Sequence, residues 1–274
     1  MRIAVTGGGG ELGRALTPHL LAAGHSVVSI DRALPAGPPQ PDVRHIAADL
    51  RDLGQFVGAV QGCEALIHLA AHRAPGALPD PVVYVENTAV SYHALYAAAV
   101  LGISRVCLAS SVNATGAAFS RRPRYDYFPL DEAHPTYNED PYSLSKWVLE
   151  QQADSFARRY EDMQIASLRF HWLLDSYERA AEVSAAHPAV AARHLWAYTT
   201  IESACRACLL GVTADFGGHE VFYIVAPRTA VETASSKLAR AHYPETTIRG
   251  DLAGTQGFFD CAKAGRLLGW HHEG

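Results

Sequence analysis

Along the first 170 residues, short apolar runs alternate with stretches of helical periodicity. Arg2–Thr6 is a strand-like run, and Ser26–Ile30 is a second, β-branched one. Between them Glu11–Ala23 places Leu12, Leu16 and Leu20 four apart, on one face of a helix. Val43–Ala47, Ala65–Leu69, Arg105–Ala109 and Ile165–Phe170 read as further strands, and Leu53–Val60, Val82–Leu101 and Glu139–Tyr160 as helices. Arg32–Asp42 holds Pro35, Pro38, Pro39 and Pro41 and is too proline-dense for either element. Strands alternating with helices predict an α/β fold with a doubly wound parallel sheet. Ile3-Ala4-Val5 and Val27-Val28-Ser29-Ile30 have the unbroken apolar character of strands covered on both faces.

After about residue 170 the rhythm changes. Tyr177–Ala192, Thr200–Leu210, Ser235–His242 and Ala262–Leu268 read as helices and Val221–Val225 as a strand. The expected organisation is a nucleotide-binding core over 1–170 that carries the reactive residues. A small mixed substrate-binding part over 171–274 closes over the C-terminal edge of the sheet and does not fold independently. With 49% hydrophobic and 19% charged residues among 274, disorder is excluded as the main state. A net charge of -5 and a pI near 6.3 leave no basic footprint for nucleic acid. No apolar run is long enough for a transmembrane helix, so no membrane partner is expected. The opening MRIAVTGGGG lacks the apolar core of a secretory leader. Five cysteines, an odd number, argue against a disulfide framework and fit a reducing cytoplasm.

Two clusters carry chemistry. In the first, Gly7, Gly10 and Gly13 follow a strand and open a helix. Such a turn needs positive φ and a close backbone approach to a pyrophosphate, while Glu11 and Leu12 at the helix N-terminus supply unpaired N–H groups. Asp31 closes the second strand, where a carboxylate can accept hydrogen bonds from ribose hydroxyls and repel a 2′-phosphate. This favours NAD over NADP, although the adjacent Arg32 could pair with a 2′-phosphate. Asp49 and Leu50 follow the third strand, where an adenine could be met; the alternative for Asp49 is a helix N-cap.

In the second cluster Tyr142 and Lys146 stand four apart, on one helix face. Only three of the 23 basic residues are lysine, so a chance pairing with a tyrosine at this spacing is rare. A phenol is a poor base at neutral pH, but a nearby ammonium favours the phenolate, which can take a hydroxyl proton as hydride leaves the same carbon. Ser111, at the end of the fifth strand, can hydrogen-bond the reacting oxygen; the alternative is a turn cap. His72, Arg73 and His171 are candidate substrate contacts near strand ends. The fourteen histidines show no metal-ligand spacing on a helix face, so no metal is expected. Cys205 and Cys208 fit a packed helix face. Residues 117–138 form a long loop, expected to cover the substrate with Tyr125, Tyr127 or Phe128 as lid aromatics.

These pieces together resemble the extended short-chain dehydrogenase/reductase family, in its NAD-dependent epimerase/dehydratase group. The resemblance rests on the Gly7/Gly10/Gly13 turn, Asp31, Ala48-Asp49-Leu50, His68-Leu69-Ala70-Ala71 and Asn87. It extends through Ser110-Ser111 before Gly116, Tyr142-x-x-x-Lys146 and the closing Leu267-Leu268-Gly269-Trp270. It implies a Rossmann-type fold, a Ser111–Tyr142–Lys146 catalytic set with Lys146 on the nicotinamide ribose, and Leu69, Ala70 and Ala71 along the adenosine and pyrophosphate side. It places Asn87 with the cofactor-binding residues and implies a homodimer through the two long helices.

A partial likeness to uronate (aldose) dehydrogenases adds Asn113 and Arg179 as substrate contacts and Trp196 before the late helix. Here Val112 intervenes between Ser111 and Asn113, and Glu202 and Phe170 stand where many relatives have Asp and Pro. The expected function is therefore hydride transfer from a sugar or related hydroxyl substrate to NAD, with free aldose or uronate oxidation at C1 to a lactone as its specific form. Alternatives are a nucleotide-sugar epimerase that retains NAD, an aldehyde or ketone reductase, and a non-catalytic NAD-sensing protein.

Overall fold

The computed structural model describes residues 1–35 and 42–273, so Pro38, Pro39 and Pro41 of the proline-rich stretch lie outside the described residues. The chain enters β1 (Arg2–Thr6), then α1 (Glu11–Ala22), β2 (Ser26–Asp31), β3 (Val43–Ala47), α2 (Leu53–Val60) and β4 (Ala65–His68). It continues through α3 (Asp80–Leu101), β5 (Arg105–Ser111), a 3-10 turn (Val112–Thr115), β6 (Tyr127–Phe128), α4 (Pro141–Arg159) and β7 (Gln164–Phe170). Beyond these lie β8 (Leu173–Leu174), α5 (Tyr177–Ala186), α6 (Pro188–Arg193), β9 (Thr199–Thr200), α7 (Ile201–Thr213) and β10 (His219–Ile224). The last elements are α8 (Ser235–His242), β11 (Thr247–Ile248) and α9 (Ala262–Leu268).

Seven strands form one parallel sheet in the order β10-β7-β5-β4-β1-β2-β3. The α/β doubly wound expectation holds, and the two-residue periodicity of the strands explains it. Ala4, Val28, Leu66, Val106, Leu108 and Ile165 pack one sheet face against α2, α3 and α4. Their strand neighbours Ile3, Val5, Ile67, Cys107, Ala166 and Leu168 pack the other face against α1, α7 and α9. Leu12, Leu16 and Leu20 are buried on α1 as their spacing predicts. Cys205 and Cys208 lie in this second layer, where α7 runs so close to β5 that a Cβ on Gly211 would come within 3.1 Å of Cys107 Sγ.

Two expectations change. The single helix over 177–192 is two, because Pro188 has no N–H to continue α5 and instead occupies the first position of α6. The lid aromatics are not a lid. Phe128 is fully buried with its ring 4.8 Å from Phe258 and 5.6 Å from Tyr243, and Tyr125 packs 5.3 Å from both Phe128 and Tyr243. Tyr127 is buried too, its hydroxyl donating to Asp131 at 2.5 Å. β6 pairs in parallel with β11, so the loop supplies the core of a second lobe together with Leu195, Trp196, Tyr223, Leu238 and Phe258. Burying three large aromatics removes more apolar surface from water than a mobile cover could. No helix among the described residues is long and apolar enough to cross a membrane.

Candidate active site

The glycine turn sits at the C-terminal edge of the sheet between β1 and α1. Gly7 has φ +69°, and a Cβ there would come within 2.9 Å of Ala70 N. A Cβ on Gly13 would come within 2.4 Å of Gly7 O, so α1 can start this close to β1 only with glycine. Gly10 caps α1 with no side chain on the first-turn N–H groups, which leaves those of Glu11 and Leu12 open to an anion. Asp31 faces the same turn, accepting from Gly9 N at 2.9 Å through one carboxylate oxygen and from Arg32 N at 2.7 Å through the other. These residues fit a dinucleotide: uncapped helix N–H groups for a pyrophosphate, with a carboxylate beside them.

On the next strands Leu69 N donates to Thr6 O and Ala70 N to Thr6 Oγ1, which pins this segment with Ala71 beside the turn. Asp49 does not cap α2; Asp52 does, accepting from Gln55 N. Asp49 is instead held by Arg51, whose bonds hold its carboxyl down at about 2. Arg51 also reaches Glu86, and Glu86 bonds His72 Nε2 at 2.8 Å, so one charged chain links the ends of β3 and β4. Leu50 is buried beside it, its carbonyl 3.0 Å from His93 Nδ1.

The candidate catalytic cluster assembles where β5 ends and α4 begins. Asp140 caps α4 by accepting from Ser143 N, and Pro141 takes the first helical position, which fixes Tyr142 in the opening turn. Lys146 follows one turn later, its Nζ donating to Ala109 O at 2.6 Å and lying 5.8 Å from the Tyr142 ring centre. Ser111 closes β5 and does cap the 3-10 turn, accepting from Asn113 N at 3.2 Å and Asn113 Nδ2 at 3.3 Å. Burial raises the Tyr142 phenol above its ordinary value, and a hydrogen bond with Ser111 opposes that rise. Burial brings Lys146 down to about 8, with the Glu150 carboxylate working against it. His68 is held neutral, down at about 3, by burial and then by the Lys146 charge.

Asn87, buried on α3, donates to Ser145 Oγ and His72 O and accepts from His72 N. It ties the segment after β4 to the helix carrying Tyr142. Asn113 lies beside Ser111 with its Oδ1 buried and no protein partner. Arg73 is exposed and reaches Glu11 across the turn at 3.5 Å. His171 is buried between His194 and Phe259 with ring centres at 5.4 and 5.8 Å, and burial keeps it neutral. Arg179 does not join the cluster: it sits on the outer side of α5, paired with Glu182 at 3.0 Å. The local match in sequence carried no information about which face of that helix it would take. Among the described residues no group of side chains could hold a metal ion.

Sequence reasoning missed two features. Phe119 sets its ring edge-on to Tyr142 at 5.7 Å. Glu150 and Arg169 form a buried ion pair behind the cluster. Arg169 lies in a seven-residue strand buried throughout, and a charge in such a run is the signal that could have found the pair.

The chain belongs to the NAD dependent epimerase/dehydratase family, whose model matches residues 3–196. Members of this family bind NAD(P) and act as oxidoreductases or epimerases. Among curated proteins, a putative dihydroflavonol 4-reductase of Synechocystis sp. is 31% identical over 60% of this chain and 47% of its own. The L-arabinose 1-dehydrogenase (NAD(P)(+)) of Haloferax volcanii is 30% identical over 65% of this chain and 69% of its own. UDP-glucose 4-epimerases match as well. The chain spans less than half the length of the first curated relatives it matches. A mutated uronate dehydrogenase shares the fold with a TM-score of 0.72 and 21% identity, over all of this chain and 82% of that one.

Proposed function

We propose that the protein is an NAD-dependent oxidoreductase acting on a sugar or related hydroxyl substrate, in its specific form a free aldose or uronate oxidised at C1 to a lactone. The observation that carries this reading is the convergence of Ser111, Tyr142 and Lys146 at the sheet edge that also carries a glycine turn with open helix N–H groups. Gly7, Gly10, Glu11, Leu12 and Gly13 would hold the pyrophosphate, with Leu69, Ala70 and Ala71 alongside. Asp31 would hold the adenosine ribose, with Arg32 at its edge. Asp49 and Leu50 would border the adenine, and Lys146 the nicotinamide ribose. Bound there, NAD would supply the acceptor for a hydride from the substrate carbon.

Ser111 donates to the substrate oxygen and holds it against Tyr142. Tyr142 takes the hydroxyl proton, and the Lys146 ammonium stabilises the phenolate that does so. Asn113, with its spare carbonyl oxygen, and His72, Arg73 and His171 are the candidate substrate contacts. The core over 1–170 supplies the cofactor end and 171–274 most of the substrate lobe. Val85, Tyr92, Tyr96 and Val100 form an exposed apolar face on α3, which supports a homodimer through the long helices.

The test is absorbance of reduced nicotinamide with NAD or NADP and a panel of free aldoses, uronates and nucleotide sugars. Signal with NAD and a free sugar, lost in Tyr142→Phe and moved toward NADP in Asp31→Ser, supports the reading. Protein that retains NAD through purification and interconverts nucleotide sugars without added cofactor overturns it in favour of an epimerase, which the UDP-glucose 4-epimerase relatives make the second reading.

A further inference from the structure

Behind the reactive cluster lies a buried network that the chemistry above does not use. Arg169 on β7 donates to both oxygens of Glu150 on α4, from Nε at 2.9 Å and from a terminal nitrogen at 2.8 Å. The side chains of Arg169 and Glu150 are 7% and 3% exposed. Ser110 donates to Glu150 Oε1 at 2.6 Å, and Arg169 also donates to Tyr223 Oη on β10 at 3.3 Å. Two of these contacts bear on the site. Glu150 is one helical turn beyond Lys146 and shares its face, and Ser110 is the residue before Ser111.

A buried ion pair is a weak source of net stability, because desolvation consumes most of the attraction. This one is placed where its charge and its bonds reach both ends of the reactive cluster. We propose that Glu150, held by Arg169, is a positioning residue: its carboxylate sustains the Lys146 ammonium, and its bond from Ser110 fixes the end of β5 that presents Ser111. The proposal rests on the reading of Lys146 and Ser111 as parts of the catalytic set.

The charges around Lys146 are few. Tyr142 and Glu150 face it from α4 and His68 from β4, with Arg169 on β7 behind Glu150. His68 is neutral and so is the Tyr142 phenol, so Glu150 is the one anion acting on the ammonium among them. It opposes the burial that would otherwise strip the proton. Arg169 holds both oxygens of Glu150, so the carboxylate is shared between the guanidinium and the Lys146 ammonium.

Only three lysines occur in the chain, so lysine labelled with carbon-13 at the ε position gives a spectrum simple enough to titrate, and Lys146→Met assigns the signal. The full chain is titrated without cofactor as wild type, Glu150→Gln, Arg169→Met and the double variant. The Lys146 midpoint is expected to fall by about one pH unit in Glu150→Gln and in the double variant. It is expected to rise in Arg169→Met, where Glu150 has no other cation. The double variant buries no charge at this place and keeps the test alive where a single variant does not fold.

A Lys146 midpoint that stays at the wild-type position in Glu150→Gln and in the double variant overturns the proposal. So does a fall in Arg169→Met. The titration needs no turnover: a failed sugar assay counts against the proposed activity alone, and an unmoved midpoint in an active enzyme counts against the positioning role alone. In an active enzyme the alkaline limb of kcat is expected to move with the same midpoints.

Discussion

The glycine turn and the second lobe are built by different means. Around the glycine turn, geometry is set by backbone: Gly7 and Gly13 have atoms of Ala70 and Gly7 where a side chain would be, and Thr6 O and Oγ1 pin Leu69 and Ala70. In the lobe, geometry is set by rings: Tyr125 and Phe128 pack on Tyr243 and Phe258 from more than a hundred residues away, with Trp196 against Phe258. A backbone cradle tolerates almost no substitution, because a main-chain clash cannot be relieved by a rotamer. A cluster of rings can be repacked at modest cost if its volume is kept.

The sharpest break in this comparison is chemical. Tyr142→Phe is expected to lower kcat by about 10²–10⁴-fold, because a proton acceptor is gone, while NADH affinity and melting temperature stay near wild type. Loss of NADH affinity in that variant would make Tyr142 a binding residue only. Next in size, Phe128→Ala should destabilise the lobe by about 3–5 kcal/mol, read as a fall in the denaturation midpoint, with the glycine turn still binding NADH. Loss of cofactor binding at temperatures where the variant remains folded would show that lobe and cradle are not separate.

The converse variant is Gly13→Ala, expected to cost about 1–3 kcal/mol by overpacking and to abolish NADH binding in a fluorescence titration. Retained binding would sink the cradle reading.

Two smaller effects sharpen the picture. His68 is neutral in the fold down to about 3, whereas an unfolded imidazole takes a proton below its ordinary 6.5. Across that window the unfolded chain holds the extra proton, so stability falls as pH falls from 6.5 toward 3. His194, brought down to about 4 by burial, adds to the same slope. Urea midpoints measured from pH 7 to pH 5 should decline, and His194→Phe, which keeps the ring against Trp172, should flatten the decline; an unchanged slope would remove His194 from the account. Smallest of all, Arg179→Ala should change kcat/KM by less than about two-fold, since an exposed ion pair contributes little. A large rise in KM for acidic sugars would restore Arg179 as a carboxylate contact.

Where the sequence was read correctly, the information was local. The short apolar runs of the strands, the Leu12/Leu16/Leu20 face, the glycine spacing and the four-residue step from Tyr142 to Lys146 are written in contiguous residues, and backbone geometry turns such spacings into position directly. Where it was misread, the missing fact was a partner far along the chain. Phe128 became core rather than lid because Phe258 and Tyr243 wait for it, and Arg179 turned outward because Glu182 and solvent share its face.

The sequence by itself therefore determined the sheet, the glycine turn between β1 and α1 and the helical step that puts Tyr142 and Lys146 on one face. Only the tertiary structure decided that β5 brings Ser111 to Tyr142, that Glu150 meets Arg169 behind Lys146, and that the loop after Ser111 is packed into the lobe. The reason is physical: periodicity and steric demand act between neighbours, whereas side-chain pairing across elements exists only after the chain has closed on itself.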